Sequence, residues 1–554
     1  MLIQARVKRD TYFDSITLMK MARFLTEMDG IDDAAAIMAT EPNLQLLGEA
    51  GLTPFEGNAE SVGSVGPADV LIVVRASDET SAEAALDAAE KQLAQRPATN
   101  HVGSPGAPMA QPRSLEQAVQ LHPEASVAAI SVPGPYAALE AERALRAGLH
   151  VFLFSDNVPL EQEIALKRLA QERGLLLMGP DCGTAMLNGV GLGFVNVVPR
   201  GPIGIVGASG TGIQQVMSLV AQQGSGISQA IGCGGRDLSE AVAATTTLQG
   251  LRLLQEDEQT RVIVLISKPP APAIAEHVLE VAAAGGKPVV VIFVGADHDA
   301  LQERYGSQVV ITRTLAEAAQ QAVYICEMGH PMATGQGSPA DSVPQWLPLP
   351  STQEGNIVIA HLEGGTPGMS SRPVAGEQGS AMSSLRLSAL FSGGTLCDEA
   401  MHIWVERLGP IYSNIPLDPA WRLAKGQRAQ GHIAIDFGDD EYTRGRPHPM
   451  IDPSLRLKCF QEEADDPQVG VILLDIVLGY CAHPDPASVY APAILKARDE
   501  AISVGRLLTC VISLCGTEDD PQRLSVQSAR FREAGAEVFT SNADAALRCI
   551  EALS

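Results

Sequence analysis

Two stretches of this 554-residue chain gather residue types that could hold or act on a small anion. In GIVGASGTGIQQV, Gly207, Ser209, Gly210, Thr211 and Gly212 stand between a β-branched run and a helical pattern. A glycine turn lets the backbone approach an anion closely. The helix that follows offers free N–H groups and the positive end of its dipole. The hydroxyls of Ser209 and Thr211 add donors. No Gly-Lys-[Ser/Thr] follows, so the turn is not a P-loop. The same residues suit a tight structural turn with a Ser or Thr cap, and spacing alone does not separate the two. In IDFGDDEYTRGRPHPMIDP, Asp436, Asp439, Asp440, Arg444, Arg446, His448 and Asp452 crowd behind a strand-forming run. Prolines on both sides hold His448 in an extended segment. Arg446 could grip a planar carboxylate or carbamoyl group through two parallel hydrogen bonds. His448 could donate to a carbonyl or move a proton, with Asp436 or Asp439 orienting both. Charge this dense beside a buried strand is costly unless paired or used in binding, which favours a functional site.

Three further turns carry candidates. In LLDIVLGYCAHPD, Gly479, Tyr480 and Cys481 end a strand, with His483 beyond them. In GCGGRDL, Gly234 and Gly235 precede Arg236, which could clamp an anion or pair with Asp237 at the surface. In MGPDCGTAM, Asp181 is a candidate substrate contact. Cys182 reads as a packed thiol, because no histidine stands beside it. No metal site is expected.

Ligands of open parallel sheets bind beyond the carboxyl ends of strands, so the elements before these turns must position them. The chain alternates short apolar runs with helical stretches, the pattern of α/β architecture. Strands are expected at 70–74, 127–132, 150–155 and 175–179, within a Rossmann-like unit over 1–195. A second cycle, with strands at 203–206, 261–267 and 288–294, gives a unit over 196–325. A Gly/Pro/Ser-rich stretch over 326–384 reads as a linker with a short strand at 357–362. A third unit spans 385–554, with strands at 469–480, 507–516 and 536–541. The fold class is α/β, with three doubly wound, Rossmann- or flavodoxin-like units.

Composition narrows the function. Hydrophobic residues make up 45% of the chain, enough for several cores and too much for a disordered protein. The net charge of −26 repels phosphate backbones, which argues against nucleic-acid binding. A small anionic substrate must then be held by a local trap. No apolar run approaches the ~18 residues of a membrane span, and MLIQARVKRDTYFD lacks a signal peptide's apolar region. A cytoplasmic protein is expected, its nine scattered cysteines free thiols.

The motifs also carry a family resemblance. VAAISVPGPYAALEAERALRAG, MGPDCGT, IGIVGASGTG and IGCGGRDL resemble, in this order, the α subunit of succinyl-CoA synthetase. IDFGDDEY and DDPQVGVILLDIVLGYCAHPD resemble the C-terminal ligase-like domain of its β subunit. Over nearly the full length, with TYFDSITLM, FSDNV, SKPPAPA, GGTLCDE and GRPHPMIDP, the chain resembles the FdrA family. The resemblance implies a CoA-binding-like first unit and ligase-like second and third units. It also implies one phosphoryl site faced by two helix N-termini, at Ser209–Gly212 and Gly479–Cys481. No ATP-grasp segment is recognisable before the third unit. The synthetase's phosphohistidine segment is replaced by VGADHDALQERYG, so neither ATP binding by this chain alone nor a phosphohistidine at His298 is expected. The family implies a subunit of an oxamate carbamoyltransferase-type enzyme, converting oxalurate and phosphate to oxamate and carbamoyl phosphate in purine ureide catabolism. An acyl-CoA synthetase is the alternative and a non-catalytic scaffold the third reading. Phosphate or carbamoyl phosphate enters as substrate, and CoA is the cofactor of the ligase alternative. A homo-oligomer and a complex with proteins encoded nearby are the implied partners.

Overall fold

The computed structural model describes residues 2–94, 112–329, 385–423 and 431–553, apart from 10, 12, 14, 27, 41, 42, 45, 46, 49, 53–64, 67, 68, 113, 444 and 445. The strand expected at 357–362 lies outside the described residues. The rest follows the apolar runs closely, and the architecture is α/β with parallel sheets.

The first 195 residues hold two separate small sheets and a hairpin that joins a third, where one doubly wound unit was expected. Strands β1 (Leu2–Lys8), β2 (Ile31–Met38) and β3 (Val70–Ala76) form an antiparallel sheet in the order β1-β3-β2. The run VLIVV is its central strand. Leu18, Leu25 and Leu86 cover one face of this sheet, and Leu47 and Leu52 the other. A strand covered on both faces is apolar throughout, whether its neighbours are parallel or not, so the run did not reveal direction. Strands β4 (Val127–Ile130), β5 (His150–Leu153) and β6 (Leu177–Met178) form a parallel sheet, with helices at Gly134–Arg146 and Leu160–Glu172.

The sheet of the second unit, called the second sheet below, comprises β7 (Thr184–Leu187), β8 (Val190–Gly193), β9 (Arg200–Gly207), β10 (Ile227–Gly232), β11 (Val262–Ser267), β12 (Val289–Phe293) and β13 (Val310–Ile311). Its order is β13-β12-β11-β9-β10-β7-β8, parallel except for the β7–β8 hairpin at one edge. The third, all-parallel sheet comprises β14 (Arg386–Phe391), β15 (Ile411–Ser413), β16 (His432–Asp436), β17 (Val469–Val477), β18 (Thr509–Cys515) and β19 (Glu537–Phe539), in the order β15-β16-β14-β17-β18-β19.

The two large units share one core. Ile213, Val216 and Val220 on the Gly210–Gln222 helix belong to the same buried apolar cluster as Leu396, Met401 and Trp404 on the Gly394–Leu408 helix. Buried polar bonds fix the docking. Asn196 Nδ2 donates to the Leu478 carbonyl (2.9 Å) and to Asp520 Oδ2 (2.8 Å), and Val197 N to Asp520 Oδ1 (2.7 Å). Glu399 accepts from Leu315 N (2.7 Å) and Asn542 Nδ2 (2.8 Å).

A buried ionic cluster ties the β4–β6 unit to the second sheet. Lys167 pairs with Asp237 and, at 3.3 Å, with Glu163, and donates to the Cys233 carbonyl (3.0 Å). Asp237 also accepts from Thr246 N, Thr247 N and Thr247 Oγ1. Removing Lys167 would leave buried Asp237 without a charge partner and buried Glu163 with only the half-exposed Arg236. Lys167→Ala should therefore lose about 3–5 kcal/mol of stability. Thermal unfolding would check this, and an unchanged melting temperature would contradict it.

Candidate active site at the junction of two sheets

The carboxyl ends of the second and third sheets meet at one junction, called the cleft below. After β9 the chain turns at Ser209 into the Gly210–Gln222 helix. Ser209 caps it, Oγ accepting from Gly212 N (2.9 Å). After β14 the chain turns at Gly393 into the Gly394–Leu408 helix, whose first turn has no side-chain cap. Ser209 Oγ also donates to Thr395 Oγ1 (2.7 Å) across 186 positions of sequence, joining the two helix N-termini directly. A Cβ on Gly393 would lie 2.6–2.9 Å from the Thr211 side chain, so only glycine allows this approach. The N–H groups of Gly210, Thr211, Gly394 and Thr395 have no acceptor among the described residues. Thr184 Oγ1, buried and without a partner, lies 3.3 Å from where a Gly210 Cβ would sit.

Charged groups line the same cleft. Asp436, at the end of β16, is buried, with Oδ1 accepting from Gly438 N (2.9 Å). Its Oδ2 would be 2.6 Å from a Gly394 Cβ and has no hydrogen-bond partner among the described residues. Burial pushes its carboxyl up to about 7, against the opposing pull of Lys268. Asp398, one turn into the Gly394 helix, is shifted the same way by burial, again opposed by Lys268. His448 stacks on Phe194, ring centroids 5.2 Å apart, and its Nε2 would be 3.0 Å from a Gly438 Cβ. Met450 N donates to His448 Nδ1 (3.3 Å), which places the ring proton on Nε2. Burial, aided by Arg456, lowers its pKa to about 4, so at neutral pH His448 is an uncharged hydrogen-bond donor. His483 repeats the arrangement, its Nδ1 accepting from Asp485 N (3.1 Å).

The structure thus brings together Ser209, Gly210, Thr211, Gly212, Asp436 and His448, and separates others. Gly479, Tyr480 and Cys481 are not a helix N-terminus; the next helix starts at Pro486 with Asp485 as its cap. Gly479 N donates to Gln522 Oε1 (3.1 Å) and Tyr480 N to the Val195 carbonyl (2.8 Å), so the turn docks the two units. The second positive arm is Gly393–Thr395. Arg236 pairs with Glu163 (2.9 Å) and donates to the Val158 carbonyl (2.7 Å), tying the β4–β6 unit to the second sheet. Gly234 packs against the Pro180 carbonyl with φ +85°, which explains the glycine as a close approach. Asp181 is exposed, near Gly235. Asp439 caps a short local turn through Glu441 N (3.0 Å), and Arg446 is exposed, so neither orients His448 by a direct bond. Cys182 is buried, its thiol pushed up to about 12 by burial, and is a packed residue. Lys268, Thr184, Thr395 and Asp398 were not singled out by sequence. The GGT of FSGGTLCDE was the visible signal for the second arm.

Both arms of this cleft fall in segments that match known CoA-enzyme families. Residues 200–295 match the CoA binding domain family and residues 390–550 the CoA-ligase family. The CoA-binding match thus lies later in the chain than the first unit, where the resemblance would place it. Residues 1–108 match the AllF heavy metal-associated domain family. The Escherichia coli (strain K12) protein YahF is 39% identical over 549 residues, covering 99% of this chain and 98% of YahF. The chain belongs to the FdrA family. This FdrA-family protein has succinyl-CoA synthetase-like architecture. It is 30% identical over 159 residues to the succinate–CoA ligase [ADP-forming] subunit alpha 2 of Archaeoglobus fulgidus, covering 28% of this chain and 54% of that subunit. The corresponding α subunit of Staphylococcus aureus (strain Mu50) is 29% identical over 172 residues, 30% of this chain and 55% of the subunit. Among solved structures, the dinucleotide-forming acetyl-coenzyme A synthetase 1 of Ca. Korarchaeum cryptofilum is similar, with 16% identity, a TM-score of 0.31, and 77% of this chain and 82% of that one covered. Residues 1–108 contain no cysteine, so the soft thiolate ligands of a heavy-metal site are not there. Among the described residues no group of three or more His, Cys, Asp or Glu could hold a metal, and no helix is long and apolar enough to cross a membrane.

Asp436 gives a test of the cleft's electrostatics. Its carboxyl is raised from 3.8 to about 7 in the folded chain. Its contribution to stability is therefore full below about pH 4 and is lost as pH rises through 7. Asp436→Asn, uncharged throughout, should melt higher than the parent at pH 8 and match it near pH 4. An equal difference at both pH values would contradict the shift.

Proposed function

We propose that the cleft binds the phosphoryl end of a carbonyl–phosphate anhydride and serves acyl transfer of the acyl-CoA ligase type. The observation that carries this is the Ser209–Thr395 bond, which joins two helix N-termini that keep free N–H groups at Gly210, Thr211, Gly394 and Thr395, with the unpartnered Thr184 hydroxyl beside Gly210. Such fixed donors suit a group whose charge grows as an acyl–oxygen bond breaks, because they need little reorganisation. Neutral His448 can donate to the carbonyl, and Asp436, titrating near 7, can take a proton from an incoming nucleophile. Membership in a succinyl-CoA synthetase-like family supports a CoA thiol as that nucleophile.

A second reading uses the same cleft for carbamoyl transfer, with oxalurate and phosphate giving oxamate and carbamoyl phosphate. The unpaired Asp436 Oδ2 favours it, because a carbamoyl N–H can donate there and a plain acyl group cannot. Under both readings the substrate is a small anion of the solvent phase. An oligomer, proteins encoded nearby and a cytoplasmic setting complete the proposal.

The full chain, alone and with the proteins encoded beside it, should be assayed two ways. Thioester formation from an acyl phosphate and CoA supports ligase-type transfer. Phosphate-dependent cleavage of oxalurate supports carbamoyl transfer. Failure of both in every combination would contradict catalysis and leave a scaffold role. Gly210→Val tests the cleft itself. A Cβ at Gly210 meets only Thr184 Oγ1 at 3.3 Å and Gly183 Cα at 3.9 Å, so the helix can still form while the branch enters the cleft. Whichever activity is found should fall by about 100- to 1,000-fold. Unchanged turnover in the folded variant would make the turn purely structural.

A further inference from the structure

We propose that Lys268 is a substrate-contacting residue of the cleft, its ammonium binding the phosphoryl oxygens alongside the two helix ends. This rests on the reading of the cleft as a phosphoryl site. Strand β11 lies beside β9, with Ile266 paired to Gly207, so Lys268 and Ser209 leave the sheet side by side. Pro269 and Pro270 follow and hold the backbone extended, which aims the side chain across the junction. Lys268 Nζ would be 3.4 Å from a Gly394 Cβ, placing the ammonium over the first residue of the Gly394 helix.

That position is unfavourable without a ligand. A cation beside a helix N-terminus meets the positive end of the dipole, and here a second helix end stands opposite. Lys268 is exposed and has no carboxylate within 4 Å among the described residues. Asp436 at the end of β16 and Asp398 on the Gly394 helix are the acidic groups facing it. Burial holds both carboxyls above their ordinary range, so they neutralise Lys268 incompletely. A phosphoryl dianion would turn three mutually repelling positive features into three attractions. The unpartnered, buried Thr184 hydroxyl beside Gly210 independently marks the same spot as lacking an acceptor or donor.

Inorganic phosphate is the probe, and the full chain the protein. Calorimetric titration should compare the parent with Lys268→Gln, Lys268→Arg and Gly210→Val. In the parent, labelling of Lys268 by an amine reagent should be measured with and without phosphate. The parent should bind, Lys268→Gln should bind about 10- to 100-fold more weakly, and Lys268→Arg should keep most of the affinity because the charge is retained. Phosphate should shield Lys268 from the reagent. Parental affinity in Lys268→Gln with unshielded labelling, while Gly210→Val still loses binding, would overturn the role of Lys268 and leave the phosphoryl cleft standing. No phosphate binding by the parent would overturn both.

Discussion

Two helices that aim their amino ends at one another repel, because each end carries roughly half a positive charge. Here the Gly210–Gln222 and Gly394–Leu408 helices do so across a domain junction, close enough for Ser209 to bond Thr395. The rest of the junction has to hold that arrangement against its own field. A shared apolar core, with Trp404 donating to the Ala546 carbonyl (2.8 Å), supplies most of the adhesion. Asn196, Asp520 and Glu399 fix the register with buried hydrogen bonds. Glycine at 393 removes the side chain that would keep the helices apart.

The cleft is consequently a product of two sheets and belongs to neither alone. In a chain of net charge −26, an anion must find a local reversal of sign, and in the proposed reading backbone N–H groups with one lysine provide it. The acidic groups inside the cleft do not cancel this. Asp436 is raised to about 7 by burial, and His448 stays neutral because burial lowers it to about 4. The junction therefore combines backbone and side-chain donors with one carboxyl able to exchange a proton near neutrality.

Much of this was legible in the sequence, for reasons specific to each element. The runs at 203–206, 261–267 and 288–294 became β9, β11 and β12 because β-branched residues buried on both faces suit a central parallel strand. The GASGTG turn was visible as a strand-to-helix turn, but its glycines and hydroxyls suit a cap as well as an anion site, and Ser209 does cap the helix. The second arm was misplaced to Gly479–Cys481. A strand followed by a glycine turn looks alike whether a helix starts at once or, as here, only at Pro486. Lys268 could not be found by pattern. A lysine after a strand is ordinary until the third sheet is docked against it. The antiparallel β1–β3–β2 sheet was missed because strand direction leaves no mark on an apolar run.

The most direct measurement is a crystal structure of the full chain grown with saturating inorganic phosphate. A phosphate within hydrogen-bond distance of the N–H groups of Gly210, Thr211, Gly394 and Thr395, and of Lys268 Nζ, is the predicted result. A junction without phosphate, or phosphate bound only elsewhere on the chain, would contradict the account.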